Sequence, residues 1–114
     1  MSSISTHVLD TSLGCPAAGV PVNLARANKN GDWESVGLAV TDVDGRVSAL
    51  LDGSDDLQSG TYRMTFDTSA YFSAKGVRAF YPLVIIAFDV HDTREHYHVP
   101  LLLSPYGYST YRGS

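Results

Sequence analysis

Thr61-Tyr62-Arg63-Met64-Thr65-Phe66-Asp67 alternates large apolar side chains with polar ones without a break. A period of two puts Tyr62, Met64 and Phe66 on one face of an extended strand and Arg63, Thr65 and Asp67 on the other. This is the cleanest strand signal in the chain, and its flanks extend the reading to an all-β domain. Downstream, residues 68–76 open on Thr and Ser and close on Gly, which fits one short helix. Residues 83–90 follow as a continuous apolar run, as expected of a strand buried on both faces. Upstream of a polar loop at 52–60, residues 33–41 form a strand carrying Val36, Leu38 and Val40. Asp42-Val43-Asp44-Gly45 then supplies turn chemistry, and residues 46–51 resume in extended form, so a hairpin is expected there.

Residues 4–10 and 20–27 also read as strands, the second with Val20, Val22 and Leu24 on one face, and a Gly/Pro loop at 10–19 joins them. Residues 28–32 turn the chain. In the strand at 95–103, Tyr97, Val99, Leu101 and Leu103 share a face, which leaves His96, His98, Pro100 and Leu102 facing away from the core. Pro100 has no N–H to donate, so the backbone there is expected at an edge or bulge. Seven or eight short strands with turn residues between them, and no long helical stripe or internal repeat, point to a sandwich or barrel.

The bulk properties agree with one globular domain over residues 1–114, since 44% hydrophobic and 18% charged residues suffice for a single core. A net charge of -4 and eight scattered Lys and Arg give no basic stripe, so no nucleic-acid partner is expected. The longest apolar stretches fall far short of the roughly 20 residues of a membrane helix. No secretory leader is visible at the N-terminus, which makes the cytoplasm the expected compartment. The single cysteine, Cys15, lies in a loop-like Gly-Cys-Pro stretch and reads as a reduced thiol. The tail tyrosines and the outward Leu102 leave apolar surface that suggests a homo-oligomer.

Taken singly, the polar residues say little about chemistry. A lone strand histidine such as His7 is more often structural, and Arg46 in a turn is ordinarily a solvated charge. His91 with Asp89 and Asp92 fits a solvated loop. His96 and His98 share a face like a metal-binding pair, yet zinc needs three or four ligands and no Cys or His completes them in sequence. Nucleophile elbows, phosphate loops and paired aspartates are not found. A hydrolase here would act on water directly, with two histidines as general base and acid and an arginine to hold a planar anion.

Several motifs together carry more. His96-Tyr-His-Val-Pro-Leu-Leu-Leu-Ser-Pro105 and the terminal Tyr111-Arg112-Gly113-Ser114 resemble the signature of the 5-hydroxyisourate hydrolases, a family of transthyretin-related proteins. Ser5-Thr-His-Val-Leu-Asp-Thr11, Gly19-Val-Pro-Val22 and Thr41-Asp-Val-Asp-Gly-Arg46 match as well, so the resemblance covers essentially the whole chain. It implies a transthyretin-like (prealbumin-like) β-sandwich of about eight strands with one short helix. It also implies a homotetramer, a dimer of dimers, with active sites at the subunit interface. The implied reaction is hydrolysis of 5-hydroxyisourate to 2-oxo-4-hydroxy-4-carboxy-5-ureidoimidazoline (OHCU) in urate degradation, without cofactor or metal.

Carried over residue by residue, the resemblance makes His7, Arg46, His98 and Ser114 catalytic. It has Tyr111, Arg112 and Gly113 bind substrate together with His7 and Arg46. Which histidine is base and which acid stays open at this point, as does the compartment, since some members are peroxisomal or periplasmic. Two other readings compete: a transthyretin-like carrier of a small hydrophobic ligand, and a structural or adhesive sandwich whose polar residues are surface decoration.

Overall fold

A computed structural model describes residues 3–51 and 57–114. The strands are β1 (Ile4–Asp10), β2 (Cys15–Pro16), β3 (Pro21–Ala27), β4 (Trp33–Val40), β5 (Arg46–Val47), β6 (Gly60–Phe66), β7 (Val84–Val90), β8 (Tyr97–Ser104) and β9 (Gly107–Thr110), with one helix, α1 (Thr68–Ala74). They form two sheets. One runs β2-β1-β8-β9, with β5 also paired to β1, and the other runs β4-β3-β6-β7. Both pack on a shared core that takes Ile4, Val8, Leu101 and Leu103 from the first and Val22, Leu24, Met64 and Phe66 from the second. Each of these fully buried apolar side chains contributes about 1.5–3 kcal/mol relative to exposure.

The alternation in β6 is realised in full, with Tyr62, Met64 and Phe66 buried. Helix α1 starts one residue after Asp67, whose side chain accepts from the Ala70 N–H, and Gly76 at φ 67° ends the turn that follows it. The loop expected at 10–19 contains the short β2, which pairs with Leu9 and Asp10. Of the polar loop expected at 52–60, residues 52–56 lie outside the described residues.

Three expectations change. The hairpin across 42–45 does not form, because Arg46 and Val47 pair with His7 and Thr6 of β1 in the opposite sheet. The turn itself carries the chain over. Asp42 Oδ1 accepts the N–H groups of Asp44 and Arg46, and the Gly45 carbonyl accepts from the Val8 N–H at 2.7 Å. A side chain at Gly45 would collide with the Val8 carbonyl, and its φ of 74° is a second reason for glycine. Strand β7 is not buried on both faces: it is an edge strand, and Ile85 is 47% exposed beside buried Val84 and Ile86. The strand that carries Pro100 is neither an edge nor bulged: β8 lies between β1 and β9, and its register with the tail is the same on either side of the proline.

Below the first sheet, buried Asp10 accepts from Tyr71 Oη at 2.7 Å, from Ser12 Oγ at 2.6 Å and from the N–H groups of Ser12 and Leu13. Burial pushes its carboxyl up, but these donors outweigh burial and hold it below its ordinary 3.8. The network ties α1 to the end of β1.

Candidate active site

Strand register assembles the site. Antiparallel pairing sets His7 beside Arg46, and parallel pairing of β1 with β8 sets Ser5 beside His98 and His7 beside Pro100. Cross-strand partners share a face, and Ile4, Thr6 and Val8 already occupy the inner one. Ser5, His7, Arg46 and His98 therefore project together from the outer face of the first sheet.

The tail joins through Pro100. Strand β9 pairs with β8 as far as Leu101↔Thr110, the ladder then stops, and it resumes at a single bridge between His98 and Gly113. The gap falls where proline has no N–H to donate. Thr110 Oγ1 bonds the Pro100 carbonyl at 2.6 Å, and the Gly113 N–H donates to the His98 carbonyl at 2.8 Å. Gly113 thereby lies against the His98 ring. An added Cβ there would sit 2.5 Å from His98 Cδ2, so close approach is what demands glycine.

His98 is half-buried and fixed through Nδ1, 2.8 Å from Ser5 Oγ. The same hydroxyl lies 2.8 Å from His96 Nε2, and His96 Nδ1 is 2.7 Å from Ser3 Oγ. The two rings lie nearly parallel, 6.5 Å apart. Burial pushes the His98 pKa below the ordinary imidazole value, and repulsion from the Arg46 guanidinium, and from His96 and His7 whenever they carry a proton, acts in the same direction. At neutral pH His98 is thus a neutral imidazole, able to give or take a proton at Nε2. The His96–His98 pair is engaged by serine hydroxyls, and among the described residues no group of three His, Cys, Asp or Glu is placed to hold a metal ion.

Arg46 is exposed and has no carboxylate partner among the described residues, which leaves its guanidinium free for a ligand. Ser114 follows Gly113 and is exposed. Arg112 does not join the cluster: its guanidinium lies over the Tyr97 ring at 4.7 Å and 3.7 Å from Glu95. Tyr111, 59% exposed, and Arg112 instead line a cavity of about 280 Å³ with Phe88 and Tyr97. Of the residues proposed from sequence, His7, Arg46, His98 and Gly113 therefore come together on one face. Ser3, Ser5 and His96 belong with them and were not singled out for this role. Their signal was the shared parity of Ser3, Ser5 and His7, which means nothing until β1 is known to pair with β8.

Residues 4–113 match the model of the HIUase/Transthyretin family. The chain belongs to this family. Among its relatives, a probable 5-hydroxyisourate hydrolase of Caenorhabditis elegans is 50% identical over 113 residues, covering 99% of this chain and 82% of the relative. The solved 5-hydroxyisourate hydrolase of Klebsiella pneumoniae superposes with a TM-score of 0.85 at 38% identity, covering 100% of this chain and 94% of that one. Sea bream transthyretin in complex with thyroxine superposes with a TM-score of 0.90 at 32% identity, covering 96% and 93%. Within the HIUase/Transthyretin family the backbone therefore does not separate the hydrolase from the thyroxine-bound transthyretin, and the side chains on the outer face must decide.

Proposed function

We propose that this chain hydrolyses 5-hydroxyisourate to OHCU on the outer face of its first sheet. The observation that carries the reading is the convergence of His7, Arg46 and a neutral His98 on that face, with Gly113 of the tail packed on the His98 ring. A probable hydrolase relative at 50% identity and a solved hydrolase at 38% support it. A carrier of a hydrophobic ligand has no use for two histidines and a guanidinium on the surface that receives the ligand.

In this reading His98 Nε2 accepts a proton from the attacking water, while His7 or Ser114 protonates the departing ring nitrogen. Arg46 orients the polar edge of the substrate and offsets charge on the attacked carbonyl, where a guanidinium fork fits a planar acceptor. Tyr111 binds or shapes the purine-derived ring, and Arg112, held over the Tyr97 ring, helps to set the tail.

In one chain the site is open to water, since Arg46, Tyr111 and Ser114 are all exposed. We take it to be covered by a second copy in a homotetramer, a dimer of dimers with the active sites at the subunit interface. The exposed Tyr106, Tyr108 and Ile85 are further surface for such an assembly. Light scattering tests it: about 49 kDa is expected for four copies of the 12.3 kDa chain, and a monomer at assay concentration rules it out.

The test of the reaction is stereochemical. Ring opening in a chiral site gives one enantiomer of OHCU, detectable by circular dichroism of the product, whereas spontaneous opening gives a racemate. A racemic product in the presence of the protein rules the reading out.

A further inference from the structure

Ser5 sits between two imidazoles, and its single hydroxyl proton can serve only one of them. His98 Nδ1 and His96 Nε2 both lie 2.8 Å from Ser5 Oγ, and His96 Nδ1 lies 2.7 Å from Ser3 Oγ at the solvent end. The four groups make one chain of hydrogen bonds with two self-consistent directions, because each neutral imidazole has one donor and one acceptor nitrogen.

In the first, His98 Nδ1–H donates to Ser5, Ser5 to His96 Nε2, and His96 Nδ1–H to Ser3, so that His98 Nε2 is bare and basic. In the second every arrow is reversed. Ser3 donates to His96 Nδ1, His96 Nε2–H to Ser5, and Ser5 to His98 Nδ1, so that His98 Nε2 carries a proton and is an acid.

We propose that Ser3, His96 and Ser5 form a proton relay that switches His98 between base and acid by reversing the chain, without passing through a charged imidazolium. The inference rests on the hydrolase reading above. When water gives a proton to His98 Nε2, the Nδ1 proton moves to Ser5 Oγ and the Ser5 proton moves to His96 Nε2. The His96 Nδ1 proton then moves to Ser3 Oγ, and the Ser3 proton passes to bulk water. One proton enters at the cleft, one leaves at the surface, and every ring stays neutral.

The surroundings give the relay its purpose. His98 is half-buried with Arg46, His7 and His96 facing it, so an imidazolium there is disfavoured. A base in such a place works only if it sheds one proton as it gains another. Substrate over Nε2 would block the cleft side, whereas the half-buried Ser3 and exposed His96 give the relay an end at the surface. Ser5 and His96 act through His98 and are positioning residues.

The test is a pair of variants assayed on freshly generated 5-hydroxyisourate, with circular dichroism to confirm the fold. His96→Gln is at an exposed position and keeps a hydrogen-bonding partner for Ser5, but an amide cannot pass a proton along. The relay predicts a fall in kcat of at least about tenfold, part of the 10²–10⁴ that acid–base catalysis supplies, with KM within about twofold. In mixtures of H2O and D2O, wild-type kcat should bow with deuterium fraction because several protons move together, and in His96→Gln the plot should become linear.

Ser5→Ala should match His96→Gln, and Ser5→Thr, which restores the hydroxyl, should recover kcat to within about threefold of wild type. His96→Gln with wild-type kcat, a linear wild-type plot, or Ser5→Thr as slow as Ser5→Ala overturns the relay. A wild-type protein that does not speed substrate decay overturns the hydrolase reading instead, so the two failures are distinguishable.

Discussion

Gly113→Ala tests whether the tail holds His98 in place. The backbone at Gly113 does not occupy the left-handed region, so alanine is conformationally allowed and only its methyl group matters. That methyl carbon would sit 2.5 Å from His98 Cδ2 and 3.2 Å from Cγ. Carbon–carbon contacts are optimal at 3.5–4.0 Å, so the two must separate by about 1 Å. If the ring moves, it loses its 2.8 Å bond to Ser5; if the tail moves, the 2.8 Å bridge from the Gly113 N–H breaks. A displacement of about 1 Å at a catalytic group costs on the order of a hundredfold in rate. The stability cost is that of one exposed bond, about 1 kcal/mol, so the fold should survive. The assay is kcat/KM from the near-ultraviolet decay of 5-hydroxyisourate, alongside a thermal melt. A Gly113→Ala protein with kcat/KM within threefold of wild type would refute the idea that tail and His98 form one unit.

Other expectations follow from the same geometry. His98→Asn should lower turnover at least roughly a hundredfold with an unchanged circular dichroism spectrum, and a surface-decoration role for His98 predicts no change. Because the folded state holds the His98 pKa below the 6.5 of an unfolded chain, the unfolded state binds the proton first. This contribution to stability is therefore complete above 6.5 and is lost as pH falls through that value toward the folded pKa. Arg46→Gln removes one positive neighbour, so the His98 pKa should rise toward 6.5 in an NMR titration, and a fall would contradict the assignment. Tyr71→Phe deletes the 2.7 Å bond to the buried Asp10 carboxylate and should cost about 1.5–3 kcal/mol in a melt while sparing kcat, whereas an unchanged melting temperature would mean the network is slack.

The fold was readable wherever one face of a strand is buried and the other wet, as in β6 and β8, because burial then writes a period of two into the sequence. It was misread where the neighbour is decided at long range. Residues 42–45 have good turn chemistry, but nothing local says whether the chain returns along β4 or crosses to β1. The apolar run in β7 reads as buried on both faces because nothing local says that the strand lies at a sheet edge, where Ile85 is 47% exposed. The same limit governs the site. His7, Arg46, His98 and the tail were found by resemblance to a family, and no spacing between residues 7, 46, 98 and 113 could have joined them. Once β1 lies parallel to β8 and antiparallel to β5, register alone makes them neighbours. Ser5 and Ser3 become meaningful only then, as partners of the histidines across the strand.

The most direct test of the outer face as a hydrolytic site is the decay of freshly generated 5-hydroxyisourate, followed by its near-ultraviolet absorbance with and without the wild-type protein at neutral pH. Decay that is faster in proportion to protein concentration is the predicted result, and decay at the spontaneous rate would contradict it.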